Sequence, residues 1–208
     1  MRVLLSTVFI FALSVPAWGD SITVNVRDGD IIFHTSTSSQ SMAIQRATGS
    51  QYSHLGIIFF QKGGPYVYEA IKTVQYTPLK KWIARGEGKH YVVRRLKDAD
   101  RLLTETALNR LRREARRLQG KPYDLAFEWS DDMIYCSELV WKIYDRAIGI
   151  RIGRLQKLRE FDLSDAAVKQ KMKERYGSKA PLEEPVISPG EMFEAANLVT
   201  VARGAHEQ

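Results

Sequence analysis

The sequence predicts an α+β fold, and three observations carry that reading. Short apolar runs separated by Gly, Pro and Asp turn signals fill the first half of the chain. Apolar residues at helical spacing, with charged residues between them, dominate the second half. No internal repeat, low-complexity tract or Pro/Gly/Ser-rich linker divides the 208 residues, so one sheet with segregated helices is expected in a single domain.

The elements follow in chain order. Arg2, the largely apolar stretch Val3–Val15 and the small-x-small pattern Ala17-Trp18-Gly19 have the architecture of a secretory signal peptide cut after Gly19. The stretch is shorter than the roughly 20 apolar residues a spanning helix needs, and no cysteine follows it to carry a lipid. Residues 1–19 are therefore expected to be a signal peptide and residues 20–208 the single domain, periplasmic or secreted. Asp28-Gly29-Asp30 is a turn signal before a short buried strand, Ile31–His34. The polar run Ser36–Ser41 can cap a helix over Gln40–Ala47, stopped by Gly49. Leu55–Phe60 is the clearest strand. Lys62-Gly63-Gly64-Pro65 connects it to an antiparallel partner, Tyr66–Ala70, and Val74–Tyr76 extends the meander. Pro78 suits the first turn of a short helix through Ala84, and Tyr91–Leu96 reads as another strand.

Asp98 or Asp100 is expected to cap one long helix running to Leu118, with Gly120 and Pro122 as stop signals. Leu103, Ala107, Leu111, Ala115 and Leu118 share one face of it. Arg110, Arg112, Arg113, Arg116 and Arg117 share the other. A second helix spans Cys136–Ile148, capped by Asp131 or Asp132 and ended by Gly149. Asp165–Tyr176 reads as a polar, peripheral helix. Ser188-Pro189 starts a short helix through Ala195, and Leu198–Ala202 closes as a strand.

Composition narrows the chemistry. The chain is 44% hydrophobic and 26% charged, which fits a globular protein and excludes global disorder. It has one cysteine, Cys136, which excludes an internal disulfide framework and any site built from several thiolates. In an exported protein a lone thiol is either buried and inert or kept for its reactivity. The first turn of a helix favours thiolate over thiol. Cys136 shares its helical face with Val140, Ile143 and Ala147, so its sulfur is expected at the bottom of a cleft rather than on the open surface.

A thiolate nucleophile needs an imidazole within reach. Of four histidines, His206 lies in the tail, His90 follows a Gly-rich loop, His34 ends a strand and His54 opens the best strand. A third group must orient the imidazole. Glu69 is a lone carboxylate in the apolar strand Tyr66–Ala70, and counting outward from the turn brings it near His54 across the hairpin. Each residue also has a plainer reading: a small buried thiol, a strand-end histidine and a solvent-facing hairpin edge.

Four motifs carry a resemblance. Gly29-Asp30-Ile31-Ile32-Phe33, Tyr52-Ser53-His54-Leu55-Gly56, Gly120-Lys121-Pro122-Tyr123-Asp124 and Tyr135-Cys136-Ser137-Glu138-Leu139-Val140 stand in order along nearly the whole mature chain. Together they resemble the circularly permuted papain-like enzymes of the NlpC/P60 superfamily, YiiX/YebB-type branch. The resemblance implies a small antiparallel barrel-like sheet packed against a helix that bears the nucleophilic cysteine. It implies Cys136 as nucleophile, His54 as base, Glu69 as orienting residue and Tyr123 as a substrate or oxyanion contact.

The expected activity is that of an exported cysteine peptidase or amidase acting on cell-wall peptides or another amide, with no metal or organic cofactor. A lipid-directed acyltransferase or thioesterase is the alternative, as is a non-catalytic binding module on the same fold. The formal net charge is +7, and the Arg-rich helix presents a basic face. That face is either solvated or a contact for anionic lipids or acidic wall polymers. No aromatic-plus-basic motif suggests nucleic acid.

Overall fold

The apolar runs assemble into a six-stranded antiparallel sheet. The computed structural model describes residues 26–204; the predicted signal peptide and His206 lie outside them. Strands β1 (Ile31–His34), β2 (His54–Gln61), β3 (Gly64–Ala70), β4 (Val74–Pro78) and β5 (Val92–Leu96) come first in the chain. Two-residue strands β6 (Gln156–Lys157) and β7 (Pro185–Val186) pair with each other, and β8 (Leu198–Arg203) ends the sheet. The order across the sheet is β4-β3-β2-β1-β5-β8. The hairpin turn is Lys62-Gly63, with Gly63 at φ 108°, a conformation that suits glycine.

The central strands are buried on both faces, which explains their continuous apolar sequence where one-sided burial would have given alternation. One face, with Ile31, Phe33, Leu55, Ile57, Phe59 and Tyr68, packs against Leu139, Val140 and Ile143. Those belong to the helix Cys136–Ile148, which starts and stops where the sequence places it. The other face, with Ile32, Ile58, Val67 and Val93, packs against Leu79, Trp82 and Ile83 of the short helix Leu79–Ala84. Each such buried aliphatic side chain stabilises the fold by about 1.5–3 kcal/mol.

In chain order the helices are α1 (Ser41–Thr48), α2 (Leu79–Ala84), α3 (Ala99–Leu102), α4 (Glu105–Leu118), α5 (Cys136–Ile148), α6 (Ala166–Tyr176) and α7 (Pro189–Phe193). Three expectations are corrected. The long helix from Asp98 or Asp100 is two helices. Asp98 sits in the left-handed region with no capping bond, and Leu103 breaks the run. Thr104 then caps α4 by accepting from the Ala107 N–H. The hydroxyls of Ser36–Ser41 do not cap α1; Gln40 holds the N-cap position and makes no capping bond. Asp131 and Asp132 do not cap α5. Asp131 pairs with Lys142 and Arg146, and the N-cap is Tyr135, whose N–H donates to Glu138 Oε2 at 3.3 Å. Helix α6 is polar and lies at the periphery, as expected, with only Val168 buried; it packs against α1, and Val168, Met172 and Arg175 line a cavity that reaches Cys136.

Candidate functional site

Cys136 is the first residue of α5 and is 2% exposed. Its backbone N–H is one of the first-turn amides that a helix leaves without an internal partner, and the positive end of the helix dipole favours negative charge there. His54 opens β2 at the end of the sheet nearest the helix start, and its imidazole interacts with the Cys136 side chain.

The hairpin supplies the third group. The ladder pairs Ile57 with Tyr68, so Glu69 falls beside Gly56, and His54 lies two residues further along the same face. The contact is thus diagonal rather than directly opposite, and the His54 Nε2–Glu69 Oε2 distance is 2.6 Å. With Nε2 engaged by Glu69, Nδ1 is the ring nitrogen left for Cys136. Gly56 makes the room. A Cβ there would lie 2.5 Å from Val67 Cγ1 and 2.7 Å from the Tyr68 carbonyl oxygen.

Glu69 is fully buried and richly bonded. Thr77 Oγ1 donates to its Oε1 at 2.5 Å, and Arg85 Nη2 reaches both oxygens at 2.7 Å. Burial alone would raise the carboxyl pKa. The bond and charge of His54, then Thr77 and Arg85, reverse this and hold it down to about 2. His54 shows the complementary balance. Burial opposes its charged form, but interactions with Cys136 and Glu69 push its pKa up to about 9.

His34 is His54's neighbour across the ladder, with ring centroids 5.3 Å apart, and it stacks on Trp82 at 3.8 Å. Burial, then the nearby charges of His54 and Arg85, lower its pKa to about 2. His34 is therefore a neutral packing partner beneath a charged His54.

Tyr123 is fixed by its main chain. Its N–H donates to the Lys72 carbonyl, and the Asp124 N–H donates to that of Ile134, tying the segment to both the β3–β4 connection and the approach to α5. The Asp124 carboxylate accepts from the N–H groups of Ala126 and Glu128 and holds the following turn. The Tyr123 hydroxyl accepts from Gln40 Nε2 at 2.9 Å, and Tyr123 and Cys136 wall the same cavity. Burial, then the charge of Cys136, raise its pKa well above that of a free phenol.

Two spaces flank the Cys136–His54 pair. On the histidine side is a polar cleft of about 600 Å³ whose walls include Ser36, Ser38, Ser53 and Arg85. On the cysteine side is a narrow apolar cavity of about 80 Å³, walled by Ile44, Phe161, Val168, Met172 and Ile187. Tyr123 borders both.

The four residues singled out in the sequence thus converge on one place. Thr77, Arg85, Gln40 and Arg175 escaped the sequence reading. Arg85 follows α2, which the sequence did predict, but nothing local points its side chain at Glu69.

Comparison with known proteins agrees with this arrangement of elements. The family described as permuted papain-like amidases, YaeF/YiiX, C92, matches residues 25–202. The uncharacterized protein YiiX of Escherichia coli K12 is 51% identical over 191 residues, which span 92% of this chain and 91% of that protein. A crystal structure of YiiX from Escherichia coli O157:H7, described as a metalloprotein, superposes with a TM-score of 0.83 at 53% identity. The match covers 86% of this chain and 98% of that one.

Proposed function

The chain belongs to the YaeF/YiiX family of permuted papain-like amidases, and from that premise we propose that it is an exported thiol hydrolase with a Cys136–His54–Glu69 triad. The observation that carries this reading is His54, hydrogen-bonded to a buried carboxylate and interacting with the only thiol in the protein. In the proposed cycle the Cys136 thiolate attacks an amide carbonyl. The Cys136 N–H and the Tyr123 hydroxyl receive the oxyanion. The His54 imidazolium gives its proton to the leaving amine, and the amide C–N bond breaks to leave a thioester. Water, deprotonated by His54, attacks the thioester; the C–S bond breaks, the carboxylic acid leaves and Cys136 is restored. Cell-wall peptides are the proposed substrates, in keeping with the signal peptide expected over residues 1–19. The barrel-like form of the sheet belongs to the same proposal.

The relative from Escherichia coli O157:H7 is described as a metalloprotein, but the residues here fit a metal poorly. Among the described residues no group of three or more His, Cys, Asp or Glu side chains is arranged to hold one. Both Glu69 oxygens are already taken by His54, Thr77 and Arg85.

One observation favours a second reading. The cavity beside Cys136 is narrow and almost wholly apolar, which suits an acyl chain better than a peptide, as in a lipid-directed acyltransferase or thioesterase. The exposed Arg110, Arg113, Arg116 and Arg117 of α4 would then offer a peripheral contact with an anionic membrane surface.

Incubating the protein with muropeptides and, separately, with phospholipid vesicles, each followed by mass spectrometry, tests both readings. A cleaved peptide is expected, lost in Cys136→Ala and His54→Ala; a deacylated lipid would favour the second reading. If Cys136→Ala processes either substrate as well as the parent, the thiol mechanism is wrong. An unreactive thiol indifferent to His54→Ala would point to a binding module.

A further inference from the structure

Gln40 stands at the N-cap of α1 yet caps nothing, because its side chain is committed elsewhere. Arg175 Nη2 donates to Gln40 Oε1 at 2.8 Å, and Gln40 Nε2 donates to the Tyr123 hydroxyl at 2.9 Å. The direction of this chain of bonds is fixed at its outer end. A guanidinium has no acceptor, so the Gln40 oxygen must face Arg175 and its NH₂ must face Tyr123. The Tyr123 oxygen therefore receives a hydrogen, and its single O–H is released to donate onward. The next group is Cys136, which walls the same cavity as Tyr123 and whose charge acts on its hydroxyl. Arg175 is itself held in place, its guanidinium 4.6 Å from the centre of the Phe127 ring.

We propose that Gln40 and Arg175 are positioning residues that aim the Tyr123 O–H at the Cys136 sulfur and at the oxyanion that forms beside it. Neither touches the reacting atoms. They act by making Tyr123 a donor rather than an acceptor, at a point where negative charge resides or develops. The oxyanion half rests on the hydrolase reading; the sulfur half stands without it. The relay also gives α6 a task, since this helix brings Arg175 in from far along the chain.

The test reads the sulfur directly. Cys136 is the only cysteine, so the rate of its alkylation by iodoacetamide against pH reports one site in the full chain. The charged or titratable groups around it are His54 with Glu69 behind it, Tyr123, Tyr135 at the N-cap and, through Gln40, Arg175. Gln40→Glu is the discriminating variant. It keeps an acceptor for Arg175 but turns the donor facing Tyr123 into a second acceptor, which draws the O–H away from sulfur. The reactivity midpoint is expected to rise by about one to two pH units, as far as in Tyr123→Phe. The double variant should move no farther than either single one, and Arg175→Lys, which retains a donor, should stay near the parent. Gln40→Leu, which introduces no charge, should shift the midpoint in the same direction but less, and serves if Gln40→Glu fails to fold. A parental midpoint in Gln40→Leu, or a Gln40→Glu shift that adds in full to that of Tyr123→Phe, would overturn the relay. His54→Ala in the same assay judges the hydrolase reading separately: a parental alkylation profile there would sink the triad and leave the relay to be decided by the Gln40 and Tyr123 variants.

Discussion

Glu69 and Glu138 are both fully buried carboxylates, yet the protein treats them oppositely. Glu69 is held down to about 2 and Glu138 is pushed up to about 8. Burial disfavours the charge in both. The difference lies in the donors. Glu69 receives His54, Thr77 and an Arg85 nitrogen that spans both its oxygens. Glu138 has a long bond from the Tyr135 N–H and one ammonium, Lys142, at 2.6 Å. Lys142 also serves Asp131 and the Ser130 carbonyl, and the negative Asp124 adds to the upward push. The number and exclusivity of donors, rather than depth, set the protonation state. The charged glutamate holds a catalytic imidazolium in the proposed mechanism; the other secures the start of the helix that bears Cys136.

The largest expected effect comes from neutralising the charged member. Glu69→Gln should lower kcat/KM by about 10²-fold or more, because the imidazole loses its orienting charge. It should also cost about 3 kcal/mol of stability, since Arg85 and His54 lose a buried partner, with Arg85 still partly wetted. In the parent, kcat/KM should stay high up to about pH 9 and fall above it as His54 loses its proton. In the variant this basic limb should move to lower pH. A pH–rate profile with an unmoved basic limb would break the assignment of Glu69 to His54.

Glu138→Gln should act mainly on stability, and with the opposite pH signature. The native state keeps the Glu138 proton up to about pH 8, while the unfolded chain releases it near 4.5. The unfolded state therefore binds fewer protons across that window, and stability drains as pH rises from about 4.5 to about 8. Glu69 does the reverse: its contribution is full above about 4.5 and is lost as pH falls toward about 2. Urea unfolding across pH should thus show a flatter decline between about pH 4.5 and about pH 8 in Glu138→Gln, by an amount on the order of a kcal/mol or more. In Glu69→Gln the acid limb should flatten. Identical profiles for the two variants would remove the contrast.

Gly56→Ala probes the space that lets Glu69 reach His54. The added methyl would meet the Tyr68 carbonyl and Val67 Cγ1 well inside contact distance and press on Glu69 Cβ at 3.3 Å. A backbone oxygen cannot step aside, so about 1–3 kcal/mol of destabilisation is expected. Thermal unfolding and kcat should fall together, because displacing Glu69 also frees the imidazole.

What the sequence made legible follows from the range of the interactions. The six strands of the main sheet, the hairpin, the extent of α5 and the meeting of His54 with Glu69 depend on local patterning and on counting from a turn, so they could be read in advance; the two-residue pair β6–β7 could not. The break before α4 could not, because Leu102 and Leu103 continue the apolar rhythm across it while Thr104 supplies the cap. Asp131 looked like a cap because aspartates favour that position; long-range pairing with Lys142 and Arg146 took it elsewhere. The composition of α6 is polar, so nothing in it marks Arg175 as a residue that reaches Gln40 near the opposite end of the chain. Arg85 and Thr77 likewise reveal their roles only when β4 and α2 have folded over Glu69.

Thr77→Val carries the smallest expected effect and tests the donor argument most finely. The substitution keeps the shape and removes one hydroxyl from Glu69 Oε1. Arg85 Nη2 still reaches that oxygen at 2.7 Å, so no buried acceptor is left wholly unsatisfied. The cost should then be that of one hydrogen bond, about 0.5–1.5 kcal/mol, with kcat changed far less than in Glu69→Gln. The Glu69 pKa should rise but remain below its ordinary value, because the His54 and Arg85 interactions persist. Denaturant midpoints and the acid limb of the stability profile read both effects. A loss as large as that of Glu69→Gln would mean that Thr77 alone keeps Glu69 ionised, and that counting donors is the wrong account of why the two glutamates differ.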